Sequence, residues 1–457
     1  MNLRAGLVVA WFVVAGAQAA QSVPSVGDSL FPELGQRGLD VQHYDLRLTV
    51  PQPGQPQLSA EVTLTLTTRE PLRQVALDLL GPRVSAAQWN GQAVAFSQQG
   101  AKLLVTPARP LLPGQQARVR LVYAVTGGQG QPSQNYGLPF RPGWQSVPDA
   151  NANFSEPDGT RTFLPSNDHP SDPATFRVQV TVPQGYAAAA SGLFVQQRAE
   201  AGGRQTFVFS QRTPIPTYAL ALLVGHLERQ LAPDVQVAGQ TVRRRDVYAA
   251  GLPPDQRVPA GETAEMLQVL SDWFGPYPFD LYGVAVLPGL PLALETATLS
   301  TLPPASNRER VRLHELAHQW FGNRVTLGDW ADSWLNEGFA TYAELLWAEH
   351  QQQDTQTLLE DWYTRLTTRS SRPLRATQPE QLFDETAYFR GALALHALRK
   401  QVGDDAFRAF LQEYMQTFSN RPATTAALLE RVRSRLGQGA EATLRQWVEA
   451  AELPPLP

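Results

Sequence analysis

Two histidines separated by three residues are the side chains of this sequence best suited to chemistry. Residues 314–318 read His-Glu-Leu-Ala-His. On an α-helix, positions i and i+4 lie on one face about 6 Å apart along the axis, so the imidazoles of His314 and His318 project together. Neutral imidazole nitrogens placed in this way bind zinc at about 2.0–2.1 Å. With seven histidines in the chain, a chance match by two core histidines is the weaker alternative.

A third ligand is needed, because a catalytic zinc takes three protein ligands and keeps one position open for water. Glu337 lies in the next predicted helix, 331–350, which a turn at 322–329 brings antiparallel to the predicted helix 309–321. A lone glutamate on a helix usually faces water, so this assignment depends on the histidine pair. Taken together, these residues predict one Zn²⁺ ion per chain, held by Glu337 and the two histidines.

Glu315 is the candidate for acid–base catalysis. It follows His314 directly, and adjacent positions on a helix point in different directions, so its carboxylate is better placed as a base than as a ligand. It can accept a proton from a water molecule on the metal, whose pKa the metal lowers to about 7, and later pass that proton to a leaving amine. These residue types predict metal-assisted hydrolysis.

Two kinds of hydrophobic periodicity divide the chain. In its first half apolar residues alternate with polar ones, as at Tyr44 and Leu46, which predicts strands with one buried face. Further along, the apolar spacing becomes helical. We therefore predict an α+β protein, with an N-terminal antiparallel β domain at 20–235, a boundary near Pro233, and a mostly helical catalytic domain at 236–457.

Short sequence patterns predict the positions of individual turns and helices. Asn90 and Gly91 both tolerate the positive φ of a type I′ turn, which predicts a hairpin. Ser306 and Glu309 have the spacing of a capping box, which predicts the start of the helix that carries both histidines. A further helix is predicted at 388–402 from its apolar spacing.

The composition excludes several classes of protein. Hydrophobic residues make up 43% and charged residues 18% of the 457 residues, which are values of globular domains. The formal net charge is −4, and no long run of Lys or Arg is present, which argues against a nucleic-acid partner. Cysteine is absent, so disulfides, thiolate nucleophiles and thiolate zinc ligands are excluded. Any metal must be held by His, Asp and Glu.

The beginning of the chain predicts a targeting signal. Arg4 supplies a positive charge, residues 7–14 form a short apolar segment, and Ala17 and Ala19 are small residues where a signal peptidase cleaves. We therefore expect a signal peptide at 1–19 and export to the periplasm or the extracellular space, with an uncleaved anchor as the weaker alternative. The apolar segment is shorter than the roughly 20 residues that cross a bilayer, and no second segment of that length follows. No membrane span is expected in the mature chain.

These features resemble the gluzincin aminopeptidases, the family of aminopeptidase N and leukotriene hydrolase. In that family a zinc-binding sequence like that at 314–318 is followed at this spacing by Trp-Leu-Asn-Glu-Gly-Phe, which residues 334–339 match. Further matches lie at 43–46, 156–161 and 214–218. The resemblance covers nearly the whole mature chain and implies a thermolysin-like catalytic domain. Because the sequence ends at Pro457, we expect a short form that lacks the family's large C-terminal helical domain and has a more open active site.

The resemblance implies roles for three further residues. The family captures the α-amino group of its substrate with a Gly-x-Met-Glu-Asn motif, and residues 292–296 here read Leu-Ala-Leu-Glu-Thr, so Glu295 alone is retained. Glu156 matches the second amine-binding position. Tyr388 matches the tyrosine that donates to the oxyanion, although the segment reads Tyr-Phe-Arg-Gly where the family has Tyr-x-Lys-Gly. From the sequence alone, a structural role remains an alternative for both Glu295 and Tyr388.

The function implied by the resemblance is hydrolysis of the N-terminal bond of peptides that have a free N-terminus. A thermolysin-type endopeptidase is one alternative, but it has no use for Glu295 and Glu156. A non-catalytic peptide-binding module on the same scaffold is another, which the retention of all three metal ligands and of Glu315 disfavours. An epoxide-hydrolase side activity also occurs in the family.

Overall fold

The computed structural model describes residues 24–126, 136–368 and 372–457. It divides the chain into an N-terminal domain built mainly of strands and a C-terminal domain built mainly of helices. This confirms the predicted order of a β domain followed by a helical domain. The predicted signal peptide, 1–19, lies outside the described residues. Within the described ranges, no helix combines the length and the apolar character that crossing a membrane requires.

Strands arranged in three sheets form the N-terminal domain. They are β1 (Leu39–Thr49), β2 (Leu58–Thr68), β3 (Val75–Asp78), β4 (Arg83–Trp89), β5 (Gln92–Ala93), β6 (Ala95–Gln99), β7 (Lys102–Thr106), β8 (Gln116–Val125), β9 (Gly143–Val147), β10 (Ala150–Phe154), β11 (Ala174–Pro183), β12 (Ala187–Ala190), β13 (Leu193–Glu200), β14 (Arg204–Ile215) and β15 (Leu222–Gly225). The sheets have the orders β13-β14-β11-β1-β2-β8-β4-β5, β12-β15-β10-β9 and β3-β7-β6.

Alternating burial confirms the predicted period of two. In β1 the side chains of Tyr44 and Leu46 are buried, while the residue between them is partly exposed. The eight-stranded sheet is antiparallel except for β1 and β11, which run parallel with Leu46 opposite Val178. The predicted hairpin is also confirmed, since Asn90 and Gly91 both have positive φ between β4 and β5.

Helices and short strands form the C-terminal domain. The helices are α1 (Glu262–Phe274), α2 (Glu309–Ala317), α3 (Trp334–His350), α4 (Thr355–Thr368), α5 (Gly391–Val402), α6 (Asp404–Phe418), α7 (Thr425–Leu436) and α8 (Gln438–Glu449). The strands are β16 (Leu227–Val237), β17 (Gln240–Ala249), β18 (Leu281–Tyr282), β19 (Val284–Val286), β20 (Ser300–Leu302), β21 (Thr326–Leu327) and β22 (Pro422–Ala423). One sheet has the order β16-β17-β19-β20 with β18 also paired to β17, and β21 pairs with β22.

Strand pairing divides the two domains just before Leu227. β16 pairs with β17 in the sheet of the C-terminal domain, whereas β15, which ends at Gly225, belongs to a sheet of the N-terminal domain. The predicted boundary at 235/236 therefore falls inside a strand. Pro233 suggested a linker, but it lies where the register between β16 and β17 shifts, between residues 232 and 235. A strand accepts proline at such a bulge because no ladder hydrogen bond is lost there.

The start of α2 differs from the sequence-based expectation. No side chain of the described residues caps this helix, and Arg308 precedes it in an extended conformation. Glu309 instead accepts a hydrogen bond from Trp347 Nε1 at 3.1 Å. The predicted capping box of Ser306 and Glu309 is therefore wrong, because Ser306 belongs to a separate 3₁₀ turn, Pro304–Ser306.

A segment that precedes β1 connects the two domains. Asp28 Oδ2 accepts a hydrogen bond from His169 Nε2 in the N-terminal domain at 3.0 Å and from the backbone N–H of Trp330 in the C-terminal domain at 2.7 Å. The hydroxyl of Ser29 donates to Asp329 at 2.7 Å. Burial raises the pKa of Asp28, but the hydrogen bonds from His169 and Trp330 outweigh burial, so this pKa lies below its usual value. The carboxylate thus stays charged while it holds both domains.

A buried ion pair stabilises the N-terminal domain. Lys102 lies opposite Asp78 across β7 and β3, with its Nζ 2.6 Å from Oδ1 and side-chain exposures of 3% and 0%. Lys102 also donates to the carbonyl oxygen of Gly35 at 2.7 Å. Asp78 accepts from the backbone N–H groups of Gly35 and Asp168, both at 2.9 Å. The pair therefore joins β3 and β7 to the segments that contain Gly35 and Asp168.

Replacing Lys102 by Met should lower the free energy of unfolding by about 3–5 kcal/mol, because it leaves the Asp78 carboxylate buried without its partner. Chemical denaturation followed by circular dichroism measures this change. Lys400 is the other lysine of the chain and is exposed, so Lys400→Met is the matched control, with an expected change below about 0.5 kcal/mol. Equal stabilities of the two variants would contradict the role of the pair.

Candidate active site

The three predicted metal ligands converge in the structure. His314 lies on α2, His318 directly follows the end of α2, and Glu337 lies in the first turn of α3. Glu337 Oε2 is 3.3 Å from His314 Nε2 and 3.5 Å from His318 Nε2, and one ligand atom of each residue lies within 4.8 Å of the others. Two imidazole nitrogens and a carboxylate oxygen form the donor set of a catalytic zinc site. The residues therefore fit a Zn²⁺ ion.

Hydrogen bonds on the far side of each imidazole fix its orientation. His314 Nδ1 donates to Glu344 Oε1 at 2.9 Å, and His318 Nδ1 donates to the carbonyl oxygen of Phe321 at 3.1 Å. Because both partners are acceptors, the Nε2 atom of each neutral ring presents its lone pair to the ligand centre. No sequence motif identified Glu344, although its spacing from Glu337, about two helical turns, places both glutamates on one face of α3 and could have revealed it.

The electrostatics of the site also favour a cation. Burial lowers the pKa of His318, but the carboxylates of Glu337 and Glu295 outweigh burial and raise this pKa above its usual value. Burial raises the pKa of Glu337, but the two imidazoles outweigh it and lower this pKa to about 2. Both directions show that positive charge is favoured between these ligands, and a bound metal cation supplies it.

Glu315 lines the same cavity as the metal ligands and is 6% exposed. Burial and the neighbouring carboxylates outweigh the effect of the two imidazoles and raise its pKa to about 7. A carboxyl group with a pKa near neutrality can accept a proton and release it again at physiological pH. This is the property that a general base in peptide hydrolysis requires.

Glu295 reaches the cavity from the edge of the C-terminal sheet. It follows Leu294, which forms an antiparallel bridge with Thr301, and its carbonyl oxygen accepts hydrogen bonds from Gln319 and Asn323 at 3.1 and 2.7 Å. The side chain is 3% exposed, and among the described residues no hydrogen-bond partner meets its Oε1. Burial raises the pKa of Glu295. Its backbone is thus held by two hydrogen bonds, while its buried Oε1 atom has no partner among the described residues.

Glu156 reaches the cavity from the N-terminal domain, in the segment that follows β10. It is 5% exposed, and burial together with the carboxylates of Glu295 and Glu337 raises its pKa well above the usual value. Two buried carboxyl groups from different domains therefore face one cavity. A cationic group of a ligand bound there gains electrostatic energy from both.

Tyr388 lies in a π-helical turn, Thr386–Arg390, that leads into α5. The predicted helix at 388–402 therefore starts with a wider turn, a feature that is frequent at functional sites. The Tyr388 ring lies 5.8 Å from the His314 ring with an interplanar angle of 16°. Burial and the carboxylate of Glu337 raise the pKa of Tyr388 well above its usual value, so the phenol keeps its proton and can donate it in a hydrogen bond.

Two glycines allow this turn to approach the metal ligands. A Cβ atom on Gly338 would lie 2.8 Å from the Cα of Gly391, and a Cβ atom on Gly391 would lie 2.8 Å from the Cα of Gly338. The backbones of α3 and α5 are therefore in contact, with Glu337 next to one glycine and Tyr388 close to the other. A larger side chain at either position would force these two backbones apart.

All the residues singled out from the sequence line one cavity of about 180 Å³. They are Glu156, Glu295, His314, Glu315, His318, Glu337 and Tyr388. The remaining walls are apolar and include Leu138, Phe154, Leu292 and Phe383. Leu292, at the first position of the segment that resembles the amine-binding motif, is 38% exposed. The cavity thus combines a metal-ligand set and three further buried carboxyl groups, those of Glu156, Glu295 and Glu315, with apolar walls.

Curated relatives of this chain include several aminopeptidases. Aminopeptidase M1 of Arabidopsis thaliana is 28% identical over 335 residues, which are 65% of this chain and 36% of the relative. Aminopeptidase B of Rattus norvegicus is 28% identical over 370 residues, which are 73% of this chain and 53% of the relative. The chain thus spans between about a third and about a half of the length of these relatives.

Some solved structures are more similar in sequence to this chain than these curated relatives are. An M1 zinc metallopeptidase from Deinococcus radiodurans is 64% identical, with a TM-score of 0.92 over 95% of this chain and 98% of that one. A glutamate-to-alanine variant of such an enzyme from the same organism was solved with a Tyr-Ser-Ala substrate. Native yeast LTA4 hydrolase, at 21% identity, shares the fold with a TM-score of 0.76 over 92% of this chain and 69% of that one.

Family profiles cover both domains of the chain. The Peptidase M1 N-terminal domain matches residues 40–219, and the Peptidase family M1 domain matches residues 262–447. The first match covers all strands of the eight-stranded sheet, apart from the first residue of β1. The second match includes α2 and α3, which carry the metal ligands. With its two domains, its zinc-ligand set and its match to solved M1 enzymes, this chain belongs to peptidase family M1.

Proposed function

We propose that this chain is a zinc-dependent aminopeptidase that hydrolyses the N-terminal bond of peptides with a free N-terminus. The observation that carries the proposal is the buried Oε1 atom of Glu295, which lacks a partner among the described residues and shares a cavity with the metal ligands and Glu315. A buried carboxylate of this kind suits a cationic ligand, and a peptide with a free N-terminus carries an ammonium group. The substrate in one solved structure of the Deinococcus radiodurans enzyme is likewise a short peptide, Tyr-Ser-Ala.

Each residue of the cavity has a separate role in the proposed hydrolysis. His314, His318 and Glu337 would hold zinc, which when bound supplies the Lewis acidity that polarises the scissile carbonyl and acidifies water. Glu315 removes a proton from the attacking water and delivers it to the leaving amine, for which its pKa of about 7 is suited. The hydroxyl of Tyr388 donates a hydrogen bond to the carbonyl oxygen on which negative charge develops.

Glu295 and Glu156 set the position of cleavage in this proposal. Together they bind the α-ammonium group of the substrate between the two domains, and the raised pKa of each carboxyl group falls when the cation arrives. With the ammonium group held there, the first peptide bond is the one presented to Glu315. A peptide whose N-terminus is acetylated lacks the positive charge that the two carboxyl groups bind.

Replacing Glu315 by Gln should lower kcat by about 100- to 10,000-fold, because the amide resembles the carboxyl group in shape but cannot accept the proton. The bound zinc and the melting temperature should stay unchanged, because all three ligands remain. Steady-state hydrolysis of an aminoacyl reporter substrate measures kcat, and atomic absorption measures the zinc content of the same sample.

His318→Ala is the comparison variant for this experiment. It should lose zinc and activity together, because a zinc ligand is removed. Chelation should likewise inactivate the natural protein, and added Zn²⁺ should restore it but not the variant. Near-normal turnover in zinc-loaded Glu315→Gln protein, or a full complement of zinc in His318→Ala protein, would contradict the proposed roles.

Replacing Glu295 by Gln should lower kcat/KM for free-amine peptides about ten- to a hundredfold, mainly through KM, because a hydrogen bond to a charged partner contributes about 1.5–3 kcal/mol. N-acetylated peptides should be poor substrates of both proteins and much less sensitive to the change. Glu70→Gln, at an exposed position of the N-terminal domain, is the matched control and should behave like the natural protein.

Mass spectrometry of a decapeptide digest by the natural protein completes this test. A ladder of products shortened from the N-terminus is the expected result. Early internal fragments that form equally well from the acetylated peptide would establish a thermolysin-type endopeptidase instead. Binding of the decapeptide without cleavage by the zinc-loaded protein would indicate a peptide-binding module.

We also propose that the protein is made with a signal peptide at 1–19 and is exported. The positive charge of Arg4, the apolar residues 7–14 and the small residue Ala19 support this proposal. N-terminal sequencing of protein from periplasmic and extracellular fractions should find Ala20 as the first residue. Protein confined to the cytoplasm, or exported protein that retains its leader, would contradict export or cleavage respectively.

A further inference from the structure

Arg390 lies in the same turn as Tyr388, is 0% exposed and donates hydrogen bonds to backbone carbonyl groups of two other segments of the chain. Its Nε donates to the carbonyl oxygen of Trp447 at 2.7 Å. Its Nη1 donates to that of Arg372 and its Nη2 to that of Ala450, both at 2.6 Å. Burial lowers the pKa of this guanidinium to about 10, so it remains charged at neutral pH. The planar guanidinium group of arginine has five N–H donors that point in fixed directions, so it can bind several carbonyl groups at once.

Two of these carbonyl groups belong to the end of α8. Trp447 lies in the last turn of that helix, and Ala450 is the residue that follows it. The last carbonyl groups of a helix have no partner within the helix and carry the negative end of its dipole. A buried guanidinium satisfies these carbonyls and interacts favourably with the dipole. Arg390 thereby attaches the turn that carries Tyr388 to the end of α8.

The active site lies on the other side of this turn. Residues two positions apart in a helical turn do not face each other, so the phenol of Tyr388 packs against His314 while the guanidinium binds α8. Asp384 holds the beginning of the turn, because its Oδ1 accepts from the backbone N–H groups of Thr386 and Ala387 at 3.0 and 3.2 Å. Arg390 holds its end.

We propose that Arg390 is a positioning residue for the hydroxyl of Tyr388, and that the carbonyl groups at the end of α8 belong to the structure that keeps this hydroxyl in place. The inference rests on the proposed function, in which Tyr388 stabilises the oxyanion. Neither Arg390 nor its partners Trp447, Arg372 and Ala450 line the cavity, so the effect of Arg390 on the reaction passes through the position of the turn. A displacement of about 1 Å in a reacting group can cost about a hundredfold in rate.

Replacing Arg390 by Gln should lower kcat about ten- to a hundredfold, with KM and zinc content close to those of the natural protein. In a Tyr388→Phe background the same change should have no further effect on kcat, because the hydroxyl that Arg390 positions is already absent. Arg390→Lys should keep more activity than Arg390→Gln, because an ammonium group keeps the charge but cannot span all three carbonyls. Steady-state kinetics of the two single variants and the double variant measure these effects.

Arg399→Gln is the matched control. Arg399 is 8% exposed on α5 and donates to Glu349 and Asp404, each at 2.9 Å, so its loss should lower the melting temperature without changing kcat. A natural kcat in Arg390→Gln protein, or losses that multiply in the double variant, would overturn the inference. A natural kcat in Tyr388→Phe protein would instead contradict the role of Tyr388 in the proposed function. If Arg390→Gln protein does not fold, the same cycle with Arg390→Lys decides by the same criteria.

Discussion

The burial of four glutamates around one small cavity is the constraint on which the rest of this structure depends. Glu156, Glu295, Glu315 and Glu337 are each at most 6% exposed and line a cavity of about 180 Å³. Removing a carboxylate from water costs several kcal/mol unless an opposite charge compensates it, and neighbouring carboxylates raise one another's pKa. The arrangement suits a site completed by positive charge from two imidazoles, a metal ion and the ammonium group of a substrate.

Different elements of the fold keep these groups in place. α2 and α3 carry the metal ligands, and the contact between Gly338 and Gly391 brings the tyrosine turn close to them. Glu156 belongs to the N-terminal domain, so the cavity that it shares with Glu295 exists only when the two domains are packed together. Asp28 secures this packing, because it accepts hydrogen bonds from both domains. The precision of the site therefore depends on contacts well outside the cavity.

Patterns between near neighbours in the chain could be predicted from the sequence. His314 and His318 share a helix face because four residues are close to one full turn, and the structure confirms that their ligand atoms converge. The predicted alternation of burial around Tyr44 and the predicted turn at Asn90 are also confirmed, because strand burial and φ preferences act over a few residues. The resemblance to known aminopeptidases, and not any spacing, identified Glu295 as a residue of the cavity.

The sequence by itself determined the ligand triad, the place of Glu315 beside it and the order of the two domains, since each depends on local periodicity or on a short motif. Only the tertiary structure decided features whose partners lie far along the chain. Glu309 accepts a hydrogen bond from Trp347 on α3 and does not form the predicted capping box. Pro233 lies at a bulge within β16 and not in a linker. Arg390 donates to carbonyl groups at the end of α8. No local spacing encodes such pairs, because they form only when distant segments pack against each other.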